Sequence, residues 1–421
     1  MIHLKNGIWI NPNTFQFTAS DLWIEEGENG KLSFEMPDNT ENCKSIDCSG
    51  KFITRAFANG HHHVYSALAR GMHPPQKSPK NFTETLEYIW WVLDQSLNYE
   101  MIRASALTTA IACAKHGCTF VIDHHASPNS LIGSQEIIAK AFEEIGVRHL
   151  LCYEITDRYG ESKAKEALDE TDSYLQNHQG LVGLHASFTV EDNTLKESIK
   201  LAQKHKTGIH VHVAEDIADE KHALEQYGKS VVERFRDFGM LDLQKNIFAH
   251  GIYLNKTERE LIAQSTTYIV VNTDSNLNNR VGVFNSKGLG NRIMLGTDGM
   301  HSDMIKSTQT ALFAGQNFDQ ISWLDAYQRL QNAHTYLNSN QFKGDNENNV
   351  IVLDYDSPTE LTPDNFLGHF FFGFESRHIQ HVISSGKLIV ENRILKTADE
   401  ESILKESHKI AHFLWNKMQK M

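Results

Sequence analysis

The feature that most constrains this chain is a regular alternation of texture. From about residue 52, eight short apolar runs, at 52–58, 118–123, 147–155, 181–186, 207–213, 246–250, 267–272 and 292–297, alternate with longer helical stretches such as 99–116, 133–145, 161–178, 192–205, 230–238 and 257–265. Uninterrupted apolar runs are what parallel strands need when both faces are covered, because neither face meets water. Eight strand–helix units in series predict an α/β fold, a (β/α)8 TIM-like barrel over residues 54–345, with a doubly wound open sheet as the competing arrangement.

The flanks read differently. Before residue 53, Ile2-His3-Leu4, Ile8-Trp9-Ile10 and Leu22-Trp23-Ile24 are strand-like and separated by turn signals. Strand texture returns at 349–353, 379–384 and 388–390, the last behind a Ser-Gly-Lys turn. Residues 1–53 and 346–396 are therefore expected to pair into one small β-sandwich domain, and residues 397–421 to end the chain in a helix packed outside. The segment 342–349, rich in Gly, Asp, Asn and Glu, is expected to be the most mobile.

Composition narrows the class. A chain of 421 residues with 40% hydrophobic side chains can build a large core, which excludes disorder as its main state. A net charge of −13 argues against nucleic acid or an anionic membrane as partner. No apolar run reaches the ~18 residues of a membrane span. The five cysteines include no C-x-x-C pair, and no secretory signal precedes them, which together predict a reducing, cytoplasmic setting.

Chemistry-bearing residues collect at the ends of the predicted strands, which in a barrel is the catalytic face. In Asn59-Gly60-His61-His62-His63, positions i and i+2 of an extended segment point the same way, so His61 and His63 can face one metal while His62 faces elsewhere. His212 ends the fifth run, and Glu215 follows three residues on, in the loop above. A neutral imidazole is a good ligand for zinc or iron, and a nearby carboxylate can shuttle protons. His210 shares the parity of His212 but lies deeper and reads as a hydrogen-bonded core histidine. His250 closes the sixth run in Ala-His-Gly, and Asp298 follows the eighth in Gly-Thr-Asp-Gly. Each motif alone is modest: a polar strand end, a turn or a helix cap would account for it. Their joint placement at the ends of strands one, five, six and eight is what is specific.

This series, His-x-His, His-x-Ala-Glu, Ala-His-Gly, Leu-Gly-Thr-Asp, resembles the amidohydrolase superfamily, nearest to its cytosine deaminase-like branch with a single metal. The likeness covers nearly the whole chain. It implies His61, His63, His212 and Asp298 as metal ligands, Glu215 as acid/base, Asp298 also as base, and His250 as the contact to attacking water and substrate. His185, in Gly183-Leu184-His185-Ala186-Ser187, resembles the branch's substrate-contacting histidine. The fourth strand ends without a lysine, so the carbamylated lysine that bridges two metals in other branches has no counterpart. A narrower resemblance, to SsnA-type aminohydrolases linked to purine breakdown, rests on Val121–Asn129, Leu151–Arg158, Asp274–Asn279 and Gly368–Gly373. Three departures stand out. Arg55-Ala56-Phe57-Ala58-Asn59-Gly60 replaces the usual Pro-Gly entry, Val271-Asn272-Thr273-Asp274 lacks a histidine many relatives carry, and the segment 338–349 is shortened.

The resemblance implies one divalent metal, Zn2+ first and Fe2+ or Mn2+ as alternatives, lowering the pKa of water from ~15.7 towards ~7. It implies hydrolytic deamination of a purine- or pyrimidine-like heterocycle. Ring opening without ammonia release, triazine dechlorination and a non-catalytic metal-binding partner of a purine oxidoreductase system remain as alternatives. Trp90 and Trp91 could stack on a flat ring or anchor a helix. Arg158 could meet substrate oxygens or make a surface ion pair. His124, His125 and Asp123 stand between site and structure. A homodimer is the default assembly.

Overall fold

The protein, described here from a computed structural model, is defined over residues 1–38, 40 and 42–421. Eight parallel strands form the centre: β1 (Phe57–His62), β2 (Cys118–His125), β3 (Arg148–Ile155), β4 (Val182–Ala186), β5 (Ile209–Val213), β6 (Ile247–His250), β7 (Tyr268–Val271) and β8 (Ile293–Leu295). Each pairs with the next in chain order. The sheet closes where the Thr297 and Asp298 backbone N–H groups donate to the His61 carbonyl, at 3.0 and 3.1 Å, beside a parallel bridge from His62 to Asp298. The eight apolar runs thus form a barrel and not an open sheet.

The period of two along each strand divides its side chains between two cores. Phe120 and Ile122 of β2, Leu150 and Cys152 of β3, Ile247 and Ala249 of β6 and Met294 of β8 fill the interior. Their neighbours Val121, Leu151, Phe248 and Leu295 face the surrounding helices. Ala333, Tyr336 and Leu337 of the helix Trp323–Ser339, with Phe342 just beyond, join the interior cluster and seal its lower end.

The flanking segments form one hydrogen-bonded sheet of nine strands around a separate apolar core that includes Leu4, Leu22, Ile53, Val350 and Ile383. Two expectations change here. The run 52–58 is two strands: Phe52–Arg55 pairs with Ile8–Trp9 and with Val350–Leu353 in the outer sheet, and β1 begins at Phe57. Its apolar texture conceals the break at Ala56, whose N–H donates to the Asn349 carbonyl at 3.0 Å. The two short strands near the N-terminus are one, Ile2–Ile10, with a register irregularity between Leu4 and Gly7 where Asn6 adopts φ 59°.

The segment 342–349 is pinned, not loose. Asp345, Asn348 and Asn349 are each 1% exposed. Asn348 Nδ2 donates to the carbonyls of Glu25 and Gly27 (3.0 and 2.8 Å), and Asp345 binds Arg55 and His334. Its polar side chains are spent satisfying backbone groups where outer sheet and barrel meet. The chain ends in the helix Glu400–Met418, whose Trp415 Nε1 donates to the Leu68 carbonyl at 2.7 Å. Among the described residues, no helix is long and apolar enough to cross a membrane.

Candidate active site

Parity and closure bring the motif residues together at the C-terminal mouth of the barrel. His61 and His63 turn inward, whereas His62 turns away to Ser302 Oγ at 2.9 Å. One ligand atom each from His61, His63 and His212 lies within 4.8 Å of the others, and the same holds for His61, His250 and Asp298. His63 Nε2 stands 3.2 Å from His212 Nε2 and 3.0 Å from Asp298 Oδ1, which is 3.5 Å from His61 Nε2.

The far nitrogen of every ring is held by a fixed partner. His63 Nδ1 donates to the His124 carbonyl (2.7 Å), His212 Nδ1 to the His185 carbonyl (2.8 Å) and His250 Nδ1 to Asn276 Oδ1 (2.7 Å), while His61 Nδ1 meets His210 Nε2 at 2.8 Å. These contacts leave Nε2 of His61 and of His250 buried without a protein partner. Convergent Nε2 atoms, oriented from behind and joined by a carboxylate, are the donor set a divalent cation requires. Ser275 Oγ donates to Asp298 Oδ2 at 2.6 Å, leaving Oδ1 turned to the histidines.

Backbone strain concentrates here. Ala214, His250 and Asp298 adopt φ of 47°, 74° and 53°, a region that costs any residue with a Cβ and that collects at functional sites. The Gly296 before Asp298 is demanded by space, since a Cβ would stand 2.5 Å from Asn272 Oδ1 and 2.8 Å from the His61 carbonyl.

Burial keeps most of the cluster's histidines neutral, with His63 beside Asp298 the exception. Burial alone would lower His63, but the Asp298 carboxylate beside it raises it to about 9. Burial lowers His61 to about 3, keeping it a neutral donor. Burial would raise Asp298, yet the hydrogen bonds from His61 and His63 hold it well below the usual carboxylate range. Glu215, 3.6 Å from His250 Nε2, is pushed well up by burial and then by the Asp298 charge. Two carboxylates at one site thus favour opposite protonation states, the pattern of an acid and a base working together.

A cavity of about 50 Å³ lies above this cluster, lined by His185, Glu215, Trp90, Trp91, Arg158 and others. Trp90 both lines it and packs with Phe82 and Leu86, which line it too and with Trp90 form a lid over the barrel mouth, so its two readings are compatible. Trp90 stands so close to Gly299 that a Cβ there would lie 2.8 Å from its ring. Arg158 is no surface residue. Its side chain is 7% exposed, and its guanidinium bonds Glu154 Oε1 at 2.7 Å, approaches Asp94 Oδ2 at 3.4 Å and lies 4.8 Å over the Trp91 ring. His185 lines the cavity with its Nδ1 on Thr189 Oγ1 at 2.6 Å. His124 is buried 3.5 Å from Glu154, whereas His125 bonds Ser127 Oγ at 2.8 Å, away from the cluster. Asp123 caps the Val64 N–H at 2.8 Å.

Sequence reasoning missed Asp94, Glu154 and Asn276. Burial and the neighbouring Glu154 charge push Asp94 up to about 8. Glu154 had a visible signal, a charged residue amid the apolar run of the third strand. Asp94 had none, because it comes from a helix folded across the mouth.

A closed barrel with such a cluster at its C-terminal mouth defines a metal-dependent hydrolase. Residues 52–389 match the amidohydrolase family, and the chain belongs to that family. It is a hydrolase acting on carbon–nitrogen bonds other than peptide bonds. It is 27% identical over 425 residues, 92% of this chain and 94% of the relative, to a 5-methylthioadenosine/S-adenosylhomocysteine deaminase of Thermococcus sibiricus. It is also 27% identical over 439 residues, 98% of each chain, to a 5'-deoxyadenosine deaminase of Methanopyrus kandleri. In fold it superposes on a zinc-bound adenosine deaminase from Xanthomonas campestris with a TM-score of 0.82 at 16% identity, over 100% of this chain and 99% of that one. E. coli guanine deaminase gives a TM-score of 0.76 at 17% identity, over 92% and 98%.

Proposed function

We propose that this protein deaminates a purine- or pyrimidine-like heterocycle, with zinc as its native metal. The observation that carries the reading is the placement of Glu215 and His250 beside the point on which His61, His63, His212 and Asp298 converge. The full-length relatives, named as deaminases of adenosine derivatives, support it. The narrower likeness to SsnA-type aminohydrolases, a cytoplasmic location and a homodimer belong to the same proposal.

His61, His63, His212 and Asp298 would hold a divalent metal, which would supply the Lewis acidity that makes water nucleophilic at neutral pH. Asp298, kept ionised, and His250, whose Nε2 carries a lone pair because Nδ1 donates to Asn276, orient that water and accept its proton. Glu215, kept protonated, gives its proton to the ring nitrogen beside the attacked carbon. A carbon–oxygen bond forms, the proton taken from water passes from Asp298 or His250 to the exocyclic amino group, the exocyclic carbon–nitrogen bond breaks to release ammonia, and the added hydroxyl returns a proton to Glu215 as the carbonyl forms. His185, Trp90 and Arg158 position the ring.

The test reads ammonia and ultraviolet absorbance together across purines, oxidised purines and pyrimidines, with zinc-loaded and iron-loaded protein. Glu215→Gln should lower kcat by about 10²–10⁴ while metal content is retained. Absorbance loss without ammonia would replace deamination by ring opening. Full activity in Glu215→Gln would remove the acid/base assignment.

A further inference from the structure

The end of the barrel away from the active site carries a second cavity, of about 430 Å³, among the turns that enter β3 to β6. Four Lys or Arg residues line it, Arg148, Lys206, Lys245 and Lys343, against two carboxylates, Glu28 and Glu143. The protein as a whole carries a net charge of −13, so this is a local reversal of sign.

Both acids are engaged. Glu28 bonds Arg148 at 3.0 Å and faces Lys343 at 3.8 Å, and Glu143 faces His149 at 4.0 Å. Lys206 and Lys245 have no carboxylate partner among the described residues. The Lys245 ammonium instead lies 4.9 Å over the Phe342 ring, partly withdrawn from water. Both lysines sit in left-handed backbone, at φ 52° and 67°, where glycine would carry no steric cost. The helix Asp192–His205 ends at Lys206, so its dipole accounts for a cation there. Lys245 ends no such helix. Two successive strand entries thus place lysines without a carboxylate partner at the lining of one cleft.

We propose that this cleft is a binding site for a phosphate-bearing anion, held by Lys206 and Lys245. Phosphate oxygens accept several charge-assisted hydrogen bonds at once and supply the charge that the lysines lack. The cavity falls in the size range of small-molecule sites, so the phosphate can be free or carried by a nucleotide.

The metal-loaded, full-length protein is titrated calorimetrically, at fixed ionic strength, with inorganic pyrophosphate and separately with adenosine 5'-diphosphate. The wild type should show saturable binding. The double variant Lys206→Gln/Lys245→Gln, used once its circular dichroism matches the wild type, should bind at least about tenfold more weakly. Adenosine diphosphate binding more tightly than pyrophosphate identifies a nucleotide site, and equal affinities identify a site for the phosphate group alone. No saturable heat with either ligand, or undiminished binding in the double variant, overturns the proposal.

Discussion

At the residue scale, the site depends on what stands behind the ligands as much as on the ligands. Asn276 shows this. Its side-chain oxygen, 2.7 Å from His250 Nδ1, fixes which nitrogen of His250 carries the proton and leaves Nε2 as an acceptor facing Glu215 and Asp298. Asn276→Ala removes that constraint without touching a proposed metal ligand. The expected result is a kcat lower by about ten- to a hundredfold, with unchanged metal content by elemental analysis; wild-type kcat would show that the tautomer is set by something else. His61, His63, His212, His250 and Asp298 were legible because strand parity and strand-end position are local properties of sequence. The role of Asn276 was not, because it requires the loop after β7 to return against the end of β6. Arg158 is the middle case: its identity and position were visible, but the buried partners Glu154 and Asp94 come from elsewhere in the chain.

At the scale of elements, strands were legible and their partners less so. Seven of the eight runs coincide with barrel strands to within a few residues, since a strand buried on both faces has one composition throughout, whereas the first, 52–58, overlaps β1 only at Phe57 and Ala58. The helices Ile217–Tyr227, Met304–Phe318 and Trp323–Ser339 went unassigned, and the π-helical turn Leu86–Trp90 has no periodic signature at all. That turn belongs to the lid, where Phe82 and Leu86 pack with Val281 across the mouth. Phe82, Leu86 and Trp90 also line the cavity, so this turn shapes the space that a substrate ring would enter. Gly183 of β4 sits where a Cβ would lie 2.2 Å from the Tyr153 carbonyl oxygen and 2.7 Å from its carbon, both backbone atoms of the neighbouring strand. Gly183→Ala must therefore spread β3 from β4. A destabilisation of about 3 kcal/mol is expected in urea unfolding, with loss of activity as the His185 and His212 ends of the strands shift; a change below about 0.5 kcal/mol, the level of a surface substitution, would show that the sheet yields more easily than its contacts imply.

At the scale of the whole molecule, the open question is how a domain made from both ends of the chain stays joined to the barrel between them. The outer strand runs to Arg55 and β1 begins at Phe57, but nothing in the local sequence reveals the joint. It is a buried ion cluster: Arg55, ending the outer strand, reaches the Asp345 carboxylate at 2.9 Å and its carbonyl at 2.8 Å, and His334 of the helix beneath the barrel meets the same carboxylate at 2.8 Å. The Asp345 side chain is fully buried. A buried pair is weak evidence of net stability, but removing one partner strands the other's charge. Asp345→Ala should cost about 3–5 kcal/mol, whereas Asp345→Asn, which keeps an oxygen for Arg55, should cost less. The loss belongs to the joint and not to one domain, so hydrogen exchange should quicken together in Val350–Leu353 and in β1, the strands on its two sides. Faster exchange confined to Val350–Leu353 would mean that the outer sheet is anchored elsewhere and that the barrel, with its site, stands without it.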